Sequence, residues 1–226
     1  MSAQLPDRKL TLAGQAKTQD VERTSSGRQN ILREAATLFA AKGYAESGLR
    51  EIAEMAGVRS STVYHHFASK ERIYEEIIRI ALDAISAAVT AELLALSADA
   101  TPRMRIEASI AGHLRALHAN KPFTSTNAHS RIRLPQEVSR VVGPIRAQYS
   151  NFWRAMLEEA KTSGAFKSGL EPKILRPLIL STLNRTLGWF DPDKGSVETL
   201  IHIIITMFSG IWDDRASATR ERKRQA

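Results

Sequence analysis

Leu49 to Lys70, LREIAEMAGVRSSTVYHHFASK, is the stretch from which the rest of the chain can be read. Leu49, Ile52, Ala53 and Ala56 give a short helix one apolar face, and Gly57 and Val58 follow at once as a stop and a turn. A second short helix over 60–67 carries Val63 and Phe67 one turn apart on its inner side. Ala53 suits two helices that cross closely, and Gly57 suits a turn that needs a left-handed residue. Two short helices joined by a tight glycine turn make a helix-turn-helix, whose second helix enters the major groove of DNA. Spacing alone also fits an αα-hairpin inside a bundle, with its hydroxyls simply solvated.

The outward face of the second helix offers Ser60, Ser61, Thr62, Tyr64, His65 and His66, polar groups suited to phosphates or base edges. Lys70 opens the next helix, where its cation and the free amides of the helix start could share a phosphate. Arg50 begins the preceding helix and is placed to reach guanine bidentately. His66 reads equally well as a partly buried ring that props the helix against its neighbours. Upstream, Ile31, Leu32, Ala35, Ala36, Leu38 and Phe39 recur at helical spacing, with Ser25 or Ser26 available as N-cap and Gly43 as terminator.

The run RQNILREAATLFAAKGYAESGLREIAEMAGVRSSTVYHHFASKERIYEEII resembles the N-terminal domain of the TetR family of transcriptional regulators. The shared marks are the AGV turn, the Tyr-x-His-Phe end of the recognition helix and the Ser-Lys-Glu that follows. The resemblance implies DNA-facing positions for Arg50, Ser60, Ser61, Thr62, Tyr64, His65, His66 and Lys70, with Tyr64 and Lys70 mainly on phosphates. Two residues depart from the pattern: Arg59 stands where the family usually has Ser, and Ser61 where it often has Gly. Arg59 is read as an added phosphate contact and Ser60 as the N-cap in its place.

The chain of 226 residues is 43% apolar, enough for a real core, and carries a formal charge of +8, which favours polyanionic partners. It has no cysteine, which excludes disulfides and thiolate metal sites and points to the cytoplasm. No stretch has the roughly 18 apolar residues of a membrane span, and the first thirty lack the apolar block of a signal peptide, so no membrane partner is expected.

After Lys70 the pattern is helical throughout, with breaks at Pro102, Pro122, Pro135, Gly164, Pro172 and the Asp191-Pro192 pair. The fold class is therefore all-α: an N-terminal three-helix helix-turn-helix domain and a C-terminal helical bundle that binds ligand and dimerises. The expected divisions are a flexible arm over 1–26, the DNA-binding domain over 27–72, the effector and dimerisation domain over 73–214, and a charged tail over 215–226. In the last helix Leu200, Ile204, Ile205, Phe208 and Trp212 belong to an apolar surface that wraps almost the whole circumference. With Leu178 of the preceding helix they form the expected homodimer interface, a four-helix bundle about a two-fold axis, unless that helix is buried within one chain.

Polar or aromatic residues set into apolar faces mark the candidate effector pocket: His113, Asn127, Tyr149, Phe152, Trp153, Asn184 and Trp189. Taken singly, each reads equally as a satisfied core residue. Lys121, Arg131, Arg133, Arg140, Arg146 and Arg154 stand against the single acid Glu137, a basic belt suited to an anionic amphipathic effector or simply to solvent. Asn-Ala-His-Ser-Arg (127–131) and Gly-Trp-Phe-Asp-Pro-Asp-Lys-Gly (188–195) look similar to TetR members that sense acyl-CoA or related lipid intermediates.

The function expected is a repressor that leaves a palindromic double-stranded operator when a small effector binds. The alternative is an architectural or recombinase-type DNA-binding protein without an effector. An enzyme is not expected, nor a cofactor or metal. His113 and His118 sit about 140° apart on their helix, and the chain lacks a phosphate-binding glycine loop and a nucleophile elbow.

Overall fold

A computed structural model of the chain describes residues 26–129 and 134–213. Most of the expected arm and the tail, the N-cap candidate Ser25, and Arg131 and Arg133 of the basic belt lie outside the described residues. Among the described residues, α1 (26–42), α2 (Leu49–Met55) and α3 (Ser60–His66) form the N-terminal unit. They are followed by α4 (Lys70–Leu94), α5 (Pro102–Ala119), α6 (Lys121–His129), α7 (Gln136–Thr162), α8 (Pro172–Arg185) and α9 (Val197–Met207).

Local chemistry explains most boundaries. α1 stops at Gly43 (φ 84°), where a side chain would be strained. α2 ends in a Schellman turn: Val58 N–H donates to the carbonyl of Ala53 and Gly57 N–H to that of Glu54, with Gly57 at φ 67°. Asn30 of α1 adds a side-chain hydrogen bond, 2.9 Å, to the Ala56 carbonyl. α4 is capped by Ser69, α5 by Thr101 with Pro102 in its first turn, and α9 by Ser196. The N-cap of α3 is Arg59, whose side chain makes no capping bond. Ser60 is the first residue of that helix, so it does not take the capping role expected of it.

Two cores share one helix. Ile31, Ala35, Phe39, Ile52, Ala53, Val63, Phe67 and Tyr74 close the N-terminal unit, where Phe39, Tyr44 and Tyr74 meet with ring centroids 5.1–5.7 Å apart. α4, 25 residues and about 38 Å long, continues from that core into the larger bundle, packing on α5, α6 and α7. α5 is the central helix of the bundle and crosses α4 closely at Gly112. Among the described residues no helix is long and apolar enough to cross a membrane.

The last helix is less open than its composition promised. Leu200 and Ile204 face the chain's own core, with Ile201 beside them. Trp212 is buried against Phe166, stacked at 5.2 Å, where the segment after α9 bonds back to the segment after α7. These three positions therefore do not form an outer interface, because the apolar band around α9 is consumed on the inside. Ile205 and Phe208 are half-buried against the same core. The apolar side chains left outside are Ile174 and Leu178 on α8 and Ile203 and Met207 on α9, each at least half exposed.

Candidate nucleic-acid interface and effector pocket

α3 stands on Val63 and Phe67, which are buried, and turns its other side to solvent. Ser61, Tyr64, His65 and Arg59 are exposed, Tyr64 at 59%; Ser60, Thr62 and His66 are half-buried. Arg50 extends from α2 almost fully exposed and is held only by Glu54 one turn on, at 3.2 Å. His66 is half-buried: its ring lies near those of His65 and Phe67, and burial lowers its affinity for a proton.

Lys70 is placed differently from expectation. Its ammonium donates to the carbonyls of Tyr44 (3.0 Å) and Ser47 (2.9 Å) and sits 4.3 Å above the Tyr44 ring. Two of its three donors thus tie the turn before α2 to the start of α4. Tyr44 completes the joint by donating to Glu71 at 2.6 Å, which lowers the Glu71 carboxyl; burial, and then this bond, raises the phenol. Arg28 binds Glu76 through both guanidinium nitrogens and lies over Phe67, fixing α1 against α4 and the end of α3. The exposed face of α3 is therefore presented by a rigid frame.

Behind this frame lies a small, partly open pocket between α4, α5, α6, α7 and α8. Its apolar wall is Leu82, Ile85 and Leu180. The polar wall brings together His113, Asn127, Tyr149 and Asn184, four of the residues expected there, with Arg146 and Ser150. The other three expected residues are elsewhere: Trp153 is wholly enclosed in the core, while Phe152 and Trp189 face solvent. The aromatic crowding of α7 is real, but its 3.6-residue turn sends Tyr149 and Trp153 inward and Phe152 outward.

Arg146 is the pocket residue that had been read only as part of a belt. Its Nε donates to Asn127 Oδ1 at 3.0 Å and one terminal nitrogen lies 3.4 Å from the Tyr74 hydroxyl. No carboxylate pairs with it among the described residues. Lys121, Arg140 and Arg154 are exposed, so the described part of the belt divides into one inward cation and solvated neighbours. The signal was present in the sequence: Arg146 is three residues before Tyr149 and seven before Trp153, on the apolar stripe of α7.

The pocket histidine is neutral at ordinary pH. Burial drops His113 to about 4, although Asn184 lies near enough to act in the opposite direction. His113 Nδ1 and the Tyr149 hydroxyl share a 2.8 Å hydrogen bond, and burial raises the Tyr149 phenol. His113 Nε2 and Asn184 Oδ1 are buried without a hydrogen-bond partner. Among the described residues there is no group of three or more His, Asp or Glu placed to hold a metal ion.

Residues 31–77 match the model of the bacterial regulatory proteins of the tetR family, and residues 99–210 match the tetracyclin repressor-like C-terminal domain. The HTH-type transcriptional repressor KstR2 of Rhodococcus jostii is 29% identical over 187 residues, covering 79% of this chain and 86% of that protein. The fatty acid metabolism regulator protein of Bacillus subtilis is 24% identical over 157 residues, covering 70% and 79%. The solved structure of PfmR, a TetR family transcriptional regulator from Thermus thermophilus, superposes with a TM-score of 0.65 at 29% identity, covering 81% of this chain and 96% of that one.

Proposed function

The chain belongs to the TetR family of bacterial transcriptional regulators, and we propose that it is a dimeric repressor that holds a palindromic operator through α3 and releases it when an effector enters the pocket. The effector is small, anionic and amphipathic, of acyl-CoA or lipid-like type. The observation that carries this reading is the joining of two ends by one helix. α4 starts at the brace under the recognition helix and supplies Leu82 and Ile85 to the pocket wall.

Arg59, Ser60, Ser61, Thr62, Tyr64, His65 and Arg50 supply the DNA face, with phosphates held by Tyr64 and Arg59 and base edges read by Arg50 and the middle of α3. His66 and Lys70 support that face from behind. Pairing of two chains through Ile174, Leu178, Ile203 and Met207 would cover apolar surface that otherwise stays in water. Two recognition helices then meet successive major grooves about 34–36 Å apart, or a multiple of that pitch. An effector that binds the wrongly spaced conformer more tightly draws the population off DNA, by no more than its differential affinity. Arg146, a cation on the pocket wall without an acid partner, supports the anionic character of that effector.

Footprinting on the promoter region beside its own gene tests the reading. A protected palindrome, lost on adding an acidic amphiphile in an electrophoretic shift assay, is the expected result. Protection without a palindrome and indifferent to any such ligand would instead identify an architectural binder.

A further inference from the structure

The inner wall of the pocket is more polar than a hydrocarbon chain requires. His113 is 1% exposed and its Nε2 has no partner; Asn184 Oδ1, across the same cavity, has none either. Such atoms are usually satisfied in folded proteins, and leaving them against methylene groups wastes their desolvation. Asn184 is near enough to His113 to favour its protonation, yet neither atom completes a bond with the other. Both residues line the cavity.

Resting on the effector reading above, we propose that the pocket selects an oxygenated acid, seating a ligand hydroxyl between His113 Nε2 and Asn184 Oδ1 while the acidic group meets Arg146. A hydroxyl, with one proton to give and lone pairs to offer, serves both atoms when Tyr149 donates to Nδ1 and serves one of them when the bond runs the other way. If Tyr149 donates to Nδ1, Nε2 carries the proton and the hydroxyl accepts from it while donating to Asn184. If Nδ1 donates to the phenol oxygen, Nε2 is a bare acceptor for the hydroxyl proton. A saturated chain offers neither bond, and a site built to hydrogen-bond a group discriminates strongly against the analogue that lacks it. Arg146 keeps unused donors beyond its bonds to Asn127 and Tyr74, and no carboxylate of the described chain competes for them.

The test is calorimetric titration of the full chain, without DNA, with octanoate, 3-hydroxyoctanoate and the methyl ester of the latter. Quenching of Trp153, whose ring lies 6.5 Å from that of Tyr149, gives a second readout. The hydroxy acid should bind about tenfold or more tightly than octanoate, and more tightly than its ester. Asn184→Leu should remove the preference for the hydroxyl and keep that for the acid; Arg146→Gln should do the reverse. Equal affinity for octanoate and 3-hydroxyoctanoate, or no saturable binding of the hydroxy acid at millimolar concentration, would overturn the proposal. The first result would mean that a water serves His113 and Asn184. A hydroxy acid that binds selectively yet leaves operator binding unchanged would sink the effector reading while leaving this selectivity intact.

Discussion

The hydroxyl of Thr126 donates to the main-chain carbonyl of Ala36 at 2.8 Å, a buried bond that ties α6 of the ligand domain to α1 of the DNA-binding unit. The next residue, Asn127, lines the pocket and accepts from Arg146, which in turn reaches Tyr74 in the aromatic core beneath α3. A ligand that draws Arg146 toward itself therefore acts on α6 and on Tyr74 together. Thr126→Val keeps the shape and removes the donor. It should cost about 1 kcal/mol of stability, leave operator affinity near normal, and blunt release by effector several-fold. An undiminished effector response in shift assays would show that α6 is not a route between the two ends.

Lys70→Met separates bracing from phosphate binding. If the ammonium mainly holds the carbonyls of Tyr44 and Ser47, the variant loses about 1.5–3 kcal/mol in thermal or urea unfolding. The slope of log affinity against log salt should then stay the same. A lysine acting mainly on DNA gives the opposite pair of results: unchanged unfolding and a slope reduced by about one.

On the DNA face, Tyr64 and Arg50 should fail in different ways. Tyr64→Ala removes an exposed ring read as a phosphate contact and weakens binding to every sequence alike. Arg50→Ala removes an exposed guanidinium paired with Glu54, and it should relax preference at one base pair by about 1–3 kcal/mol. Competition shifts with operator and scrambled duplexes distinguish the two, and unchanged shifts for both would refute the interface.

How far the sequence could be read depended on how local the determining contacts were. The turn at Gly57 and the stop at Gly43 follow from residues within a few positions of one another and stand as read, while on the outer face of α3 Ser61, Tyr64 and His65 are exposed and Ser60, Thr62 and His66 half-buried. Lys70 could not be read that way, because its carbonyl partners lie 23 and 26 residues upstream. α9 carries the outward Ile203 and Met207 beside its buried Leu200, Ile201 and Ile204, so its apolar content overstated the open surface, and Trp212 finds Phe166 across a turn after a helix of another layer. The pocket was half legible: inward polar residues at helical spacing gave His113, Asn127, Tyr149 and Asn184. Phe152 and Trp189 are aromatic, a property that says nothing about direction.

Gly112 marks the closest approach of α5 to α4. A Cβ there would lie 2.8 Å from Val89 Cα, 2.9 Å from the Ala88 carbonyl oxygen and 2.9 Å from Val89 N, all main-chain atoms that cannot swing aside. Gly112→Ala should therefore cost about 1–3 kcal/mol despite the better helix propensity of alanine. A rise in melting temperature would mean that the crossing is looser than this geometry.

The buried histidines set an acid limit on the ligand domain. His113 is held neutral down to about 4, chiefly by burial, and His118 is lowered for the same reason. In the unfolded chain both take up a proton near 6.5. The unfolded state therefore binds more protons than the native one between these values, and stability falls as pH drops from about 6.5 toward 4. Above 6.5 neither state is protonated and the effect vanishes. For His113 alone the loss approaches roughly 3 kcal/mol at the low end. His113→Gln has no such proton to exclude, so its unfolding free energy, measured in urea between pH 7 and 4.5, should decline less steeply than that of the parent. The remaining slope belongs in part to His118, whose Nε2 shares a 2.9 Å bond with Thr186. Parallel curves for variant and parent would mean that His113 already titrates normally in the folded protein, and so that its cavity is wet.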